Sequence, residues 1–159
     1  MKLISLLEKL EYTCLQGSTD QEVKNVIYDS RKVEEGSLFI CIRGAVVDGH
    51  KFVPDVVAKG AKVLIVEEAV EAPEDVTVIL VKDTRYAMAF ISAAYFGYPA
   101  EKLKTIGITG TKGKTTTTYM VKSILENAGY KVGLIGTIEA IIGDKVIPAK
   151  NTTPESYVI

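Results

Sequence analysis

The residues best suited to chemistry lie in one run, Gly107-Ile108-Thr109-Gly110-Thr111-Lys112-Gly113-Lys114-Thr115-Thr116. An apolar stretch leads into a glycine-rich turn, and a Lys-Thr pair opens what reads as a helix. That order builds a phosphate cradle. Glycines let backbone N–H groups approach anionic oxygens, and the helix N-terminus adds a positive end. A lysine at the end of the turn can reach β- and γ-phosphates, and the next hydroxyl can hold Mg²⁺. Lys114 at a helix N-terminus opposes the macrodipole, which makes sense if an anion sits there. The strict pattern GxxxxGK[ST] requires glycine at position 108, where this chain has Ile108; the shorter form TGTxGKT is present. The expectation is a nucleoside triphosphate site.

Two further segments could bind a ligand. Tyr28-Asp29-Ser30-Arg31 ends an apolar run, and Asn151-Thr152-Thr153-Pro154-Glu155 is a polar stretch with proline suited to a first helical turn. By residue type alone each reads equally as ordinary turn chemistry. Asp83-Thr84-Arg85 and Asp48-Gly49-His50 read as a helix cap and a turn, and no catalysis is assigned to His50. It is the only histidine, which excludes a histidine-based metal site. Cys14 and Cys41 lack metal-ligand spacing and suit reduced thiols. The net charge of −1 gives no sequence-independent attraction to nucleic acid. The charged N-terminal stretch reads as a short amphipathic helix rather than a signal peptide, and no apolar run reaches the ~18 residues of a membrane span.

These segments must be carried by elements, and helix and strand signals alternate, the pattern of an α/β protein. Strands are expected at 23–28, 37–42, 62–66 and 76–81. A short helix is expected at 52–59, closed by Gly60. Thr84 is the expected cap of a longer helix whose inner face carries Ala87, Met88, Ile91, Ala94 and Tyr95. Gly97-Tyr98-Pro99 ends that helix. A domain boundary is expected there, giving a compact α/β domain over 1–99 and a second domain opening at 100–159. The second reads as βαβ: a strand at 105–109, a helix at 115–128 with Met120, Val121, Ile124, Leu125 and Ala128 on one face, and a strand at 131–135. Such a crossover implies a parallel sheet. A hairpin at 140–147 turns at Gly143-Asp144. One βαβ unit with a hairpin makes a poor independent domain, so the chain is expected to be the front part of a longer protein.

The motifs together resemble the Mur ligase family. TGTxGKTTT after a strand is similar to the central domain of these ATP-dependent amide-bond-forming enzymes of bacterial cell-wall synthesis. The related folylpolyglutamate synthases usually show serine where Thr115-Thr116 stands. Tyr28-Asp29-Ser30-Arg31-Lys32-Val33, Gly36-Ser37-Leu38-Phe39-Ile40, Arg43-Gly44 and Asp48-Gly49-His50-Lys51-Phe52 look like the uridine-nucleotide domain of two branches. One branch adds the third peptide residue; the other adds the D-Ala-D-Ala dipeptide. The remaining branches have a Rossmann-like first domain, and no GxGxxG stands near this N-terminus. The NTTP segment, Asn151-Thr152-Thr153-Pro154, resembles the third-residue branch. Lys112 departs from the asparagine usual in the family. Ala45, Val46 and Val47 offer no polar side chain where the family touches uridine, so contact there would be through backbone or apolar atoms.

The resemblance implies a reaction and roles. ATP would phosphorylate the free carboxylate of UDP-N-acetylmuramoyl-L-Ala-D-Glu, and the amine of a diamino acid would attack the acyl phosphate. Gly110, Thr111, Lys112 and Gly113 would offer backbone donors, and Lys114 would neutralise the phosphates as the catalytic residue. Thr115 would ligate Mg²⁺ and Thr116 would bind phosphate. Tyr28 and Ser30, with Ala45, Val46 and Val47, would hold the uridine diphosphate; Asn151, Thr152 and Thr153 would hold the sugar-peptide part. The family also implies a monomeric cytoplasmic enzyme of small-molecule substrates, acting on neither nucleic acid nor membrane. Its carbamoylated lysine, further Mg²⁺ ligand and third domain lie outside these residues, so the chain alone is expected to be inactive. The alternatives are the dipeptide-adding branch and a non-catalytic nucleotide-binding module.

Overall fold

The computed structural model describes residues 1–44, 47–149 and 154–159. The chain forms two compact units, Met1–Lys102 and Leu103–Ile159. In the first, the elements run α1 (Leu3–Leu6), β1 (Thr13–Gln16), β2 (Asn25–Ile27), β3 (Ser37–Ile40), α2 (Val53–Ala58), β4 (Val63–Val66), β5 (Thr77–Leu80) and α3 (Thr84–Tyr95). The sheet order is β1-β5-β4-β3-β2. Strands β2 to β5 are parallel neighbours, and β1 closes one edge antiparallel to β5.

The apolar runs explain this arrangement. Every residue of β3 and β4 is buried, as a parallel sheet covered on both faces requires. On one face Phe39, Cys41, Leu64, Val66 and Val78 pack with Val53 and Val56 of α2. The alternate positions Leu38, Ile40, Val63, Ile65 and Ile79 are buried too. The inner faces of α1 (Leu3, Leu6) and α3 (Ala87, Met88, Ile91), in contact with each other, supply the second layer.

Three details differ from the sequence reading. β1 is an additional strand, with an exposed side-chain pattern that carries no apolar signal. The cap of α3 is Asp83, whose carboxylate accepts the Tyr86 backbone N–H at 2.9 Å. Thr84 is the first helical residue instead, and its backbone N–H and hydroxyl both donate to Glu67 Oε1 at 2.8 Å. The strands are also shorter than their apolar runs, because ladder pairing and not hydrophobicity sets their ends.

The second unit carries α4 (Lys114–Asn127), β6 (Gly133–Ile135), β7 (Glu139–Ile142) and β8 (Lys145–Pro148). The helix, β6 and the hairpin form where expected. Residues 105–109, however, pair with no strand among the described residues, and β6 pairs antiparallel with β7. A parallel strand is held by its neighbours, and three short antiparallel strands offer 105–109 none. The expected inner face of α4 is only partly covered for the same reason: Met120 and Ile124 stay exposed, while Val121 and Leu125 are half-buried. Tyr119 of α4 donates its hydroxyl to Glu139 of β7.

Candidate functional site

In the first unit, the ends of β2 and β3 open into a cleft of about 510 Å³. Tyr28, Asp29, Ser30 and Arg31 form one wall, Gly44, Val47 and Gly49 another, and Phe39, Ile42 and Phe52 give it an apolar floor. The turn after β2 is self-bracing. Asp29 caps the 3₁₀ turn Ser30–Lys32 by accepting the Arg31 backbone N–H at 3.1 Å. The Arg31 guanidinium then grips the same carboxylate with Nε and Nη2, both at 2.8 Å. That guanidinium, and then the backbone N–H, hold the Asp29 carboxyl down to about 2. Lys59 Nζ binds the Ser30 carbonyl at 3.0 Å and Asp55 Oδ2 at 2.7 Å, which ties the turn to α2.

The opposite wall leaves β3 and returns through a narrow neck. Gly44 N–H donates to Val47 O at 3.0 Å, and Gly49 N–H donates to Ile42 O at 2.9 Å. Gly49 is required by this approach: a Cβ there would sit 2.7 Å from the Ile42 nitrogen and 2.8 Å from its oxygen. Below the neck, His50 is buried. Its Nε2 accepts the Glu67 backbone N–H at 2.9 Å, so its proton lies on Nδ1 and points at Asp48 Oδ1, 2.6 Å away. Asp48 Oδ1 also accepts the His50 backbone N–H at 3.0 Å. That N–H, and then the ring, lower the Asp48 carboxyl below its ordinary range. Arg43 faces Asp48, Glu67 and Glu68.

The cleft thus gathers Tyr28, Ser30 and Val47 from the expected set. Ala45, Val46, Asn151, Thr152 and Thr153 lie outside the described residues. Sequence reasoning missed the floor, Phe39, Ile42 and Phe52, because apolar residues at a strand end look like core. It also missed Gly49, whose signal was present in the paired Arg-Gly and Asp-Gly dipeptides that close the neck.

In the second unit, Gly110, Thr111, Lys112 and Gly113 are exposed and lead into α4. Gly113 takes φ +76°, a left-handed conformation that favours glycine, and stands at the N-cap with no side-chain hydrogen bond to the first turn. The first turn contains no acidic residue. Its backbone N–H groups are therefore left for an external acceptor, which is the arrangement of an anion site. Lys114 Nζ folds back onto the Gly110 carbonyl at 2.6 Å, over the loop. Thr117 and Thr118 bond their hydroxyls to the carbonyls of Gly113 and Thr115. Among the described residues no such bond engages Thr115, which is half-buried, or Thr116, which is exposed. No group of three or more His, Cys, Asp or Glu able to hold a metal occurs among the described residues.

Known proteins align with both units. Residues 22–96 match the model of the Mur ligase family, catalytic domain, and residues 108–159 match the Mur ligase middle domain. The UDP-N-acetylmuramoyl-L-alanyl-D-glutamate--2,6-diaminopimelate ligase of Clostridium perfringens is 54% identical over 157 residues, 99% of this chain and 32% of its own length. Two solved structures resemble the chain. The UDP-N-acetylmuramoylalanyl-D-glutamyl-2,6-diaminopimelate--D-alanyl-D-alanyl ligase from Acinetobacter baumannii has 35% identity and a TM-score of 0.61, over 79% of this chain and 28% of that one. The MurF ligase from Thermotoga maritima, in complex with ADP, has 26% identity and a TM-score of 0.51, over 72% of this chain and 25% of that one. The chain spans about a third of the length of the curated relatives it matches. With one family domain matched in each of its compact units, the chain belongs to the Mur ligase family.

Proposed function

We propose that the chain supplies two binding sites of an ATP-dependent ligase that adds the third peptide residue, a diamino acid, to UDP-N-acetylmuramoyl-L-Ala-D-Glu. The cleft of the first unit takes the uridine nucleotide, and the loop before α4 takes the triphosphate. One observation carries the reading: 54% identity to the Clostridium perfringens ligase runs through both the cleft and the loop. That relative's name makes 2,6-diaminopimelate the diamino acid expected here. The D-alanyl-D-alanyl ligase from Acinetobacter baumannii is less similar, at 35% identity. The reading carries with it a monomeric cytoplasmic enzyme of small-molecule substrates. Consistent with that, no helix among the described residues is long and apolar enough to cross a membrane.

In this reading the backbone N–H groups of Gly110 to Gly113 and the open first turn of α4 receive the β- and γ-phosphates. Lys114 exchanges the Gly110 carbonyl for phosphate oxygen and neutralises charge as the γ-phosphoryl moves to the substrate carboxylate. Positioning and charge neutralisation are most of what phosphoryl transfer asks of a protein. The donor set fits Mg²⁺ held largely by phosphate and water: Thr115 offers one neutral oxygen, and Mg²⁺ takes few protein ligands beside phosphates. When bound, the ion would draw negative charge from the phosphates. Thr116 adds a hydroxyl donor. Asn151, Thr152 and Thr153 are assigned to the sugar-peptide part by resemblance to the family.

The test is ligation by the full-length enzyme with ATP. Turnover is expected with the muramoyl dipeptide and 2,6-diaminopimelate. Turnover instead with the muramoyl tripeptide and D-Ala-D-Ala would overturn the assignment of the branch.

A further inference from the structure

The reading above names residues that face the nucleotide in the cleft, and none of them explains what holds the neck of the opposite wall. The wall's described flanks, Arg43-Gly44 and Val47-Asp48-Gly49, cross each other at one point, where Arg43 and Asp48 form an isolated antiparallel bridge. A pair of glycine contacts sets the width of the neck but not its position on the sheet. The only side chain tying it to the next strand's exit is His50, which reaches from Asp48 to the backbone of Glu67, one residue beyond β4. The ring is buried at 8% exposure and spends both nitrogens on this span. Glu67 is itself fixed, because its Oε1 accepts both donors of Thr84 at the start of α3.

Resting on the cleft being the uridine-nucleotide site, we infer that His50 is a positioning residue for that site. It acts through the Glu67 N–H to hold the Gly44–Val47 wall against the cleft, without touching the ligand. The two hydrogen bonds can be separated chemically. A glutamine carbonyl extends as far from Cβ as Nε2, so it can keep the bond from Glu67 N–H. An asparagine amide reaches only as far as Nδ1, so it keeps the bond to Asp48 and abandons Glu67. A buried donor left without an acceptor costs enough to weaken a site it supports by about tenfold.

The experiment is calorimetric titration of the 159-residue chain with uridine diphosphate, alongside thermal melts. His50→Phe and His50→Asn are each expected to bind about tenfold more weakly, and His50→Gln to stay within about threefold of the unmodified chain. A merely structural histidine would not order the variants by which hydrogen bond survives. If His50→Phe does not fold, the Asn and Gln variants decide. Equal affinity of those two, or of His50→Phe and the unmodified chain, overturns the inference while leaving the cleft assignment standing. No binding of uridine diphosphate by the unmodified chain overturns both.

Discussion

At the scale of single residues, the loop before α4 makes the sharpest demand. Lys114 is the one side chain of the loop with mobile positive charge aimed back over it. Lys114→Ala is therefore expected to lower ATP-dependent ligation by the full-length enzyme by about 100-fold or more, the scale of losing a charge-stabilising donor. Normal turnover by that variant would remove the loop from the reaction. Asp29 makes a different, pH-dependent prediction. Its carboxyl lies at about 2, against 3.8 for an ordinary Asp side chain. A depressed carboxyl stabilises the folded state above its unfolded pKa, and that contribution disappears as pH falls through the folded value. The advantage of the parent chain over Asp29→Asn in thermal melts should be constant above about pH 4 and vanish towards pH 2. A carboxyl carbon titrating near pH 4 by NMR would contradict it. Residues with special chemistry, such as Gly113, Lys114 and Ser30, were legible in the sequence because few alternatives explain them. Phe39, Ile42 and Phe52 were not, since a cleft floor and a core use the same side chains.

At the scale of elements, α3 shows where pattern and local chemistry part. The apolar spacing of Ala87, Met88, Ile91 and Ala94 placed the helix, and all four are buried. Its first residue was misassigned because Asp83 and Thr84 are both good caps, and only the tertiary bond from Thr84 to Glu67 decides between them. Asp83→Ala should cost about 1 kcal/mol of stability in urea unfolding, the usual loss for a cap. An unchanged midpoint would mean the first turn is held from elsewhere. The strands divide the same way. β3 and β4 were legible because both faces are buried. β1 was not, because an edge strand with exposed side chains exists only through its pairing to β5. Residues 105–109 show the converse, a good strand sequence without a ladder.

At the scale of the molecule, the chain is two units with different degrees of completion. The first has a sheet with a layer on each face and core residues from α1 to α3. The second has Leu134 as its buried apolar residue among those described. The α/β class was legible from the alternation of elements. The antiparallel sheet of the second unit was not, because strand direction depends on partners distant in sequence. Lys102, Leu103 and Lys104 are exposed between or at the edge of the units. Limited trypsinolysis should therefore cut first after Lys102 or Lys104, and the resulting N-terminal fragment should keep a cooperative melt. Early cleavage inside residues 25–80 would show that the first unit does not hold together by itself.

The packing of Cys41 under the cleft has a practical consequence. Burial pushes its thiol up to about 12, while Cys14 lies exposed on the antiparallel edge strand. A maleimide reacts through the thiolate, so the folded chain should accept one label and the unfolded chain two. The mass of a briefly labelled sample then counts, molecule by molecule, how many first units are open at that instant. Opening of the nucleotide cleft's foundation becomes a quantity read on a balance of masses, with no ligand added.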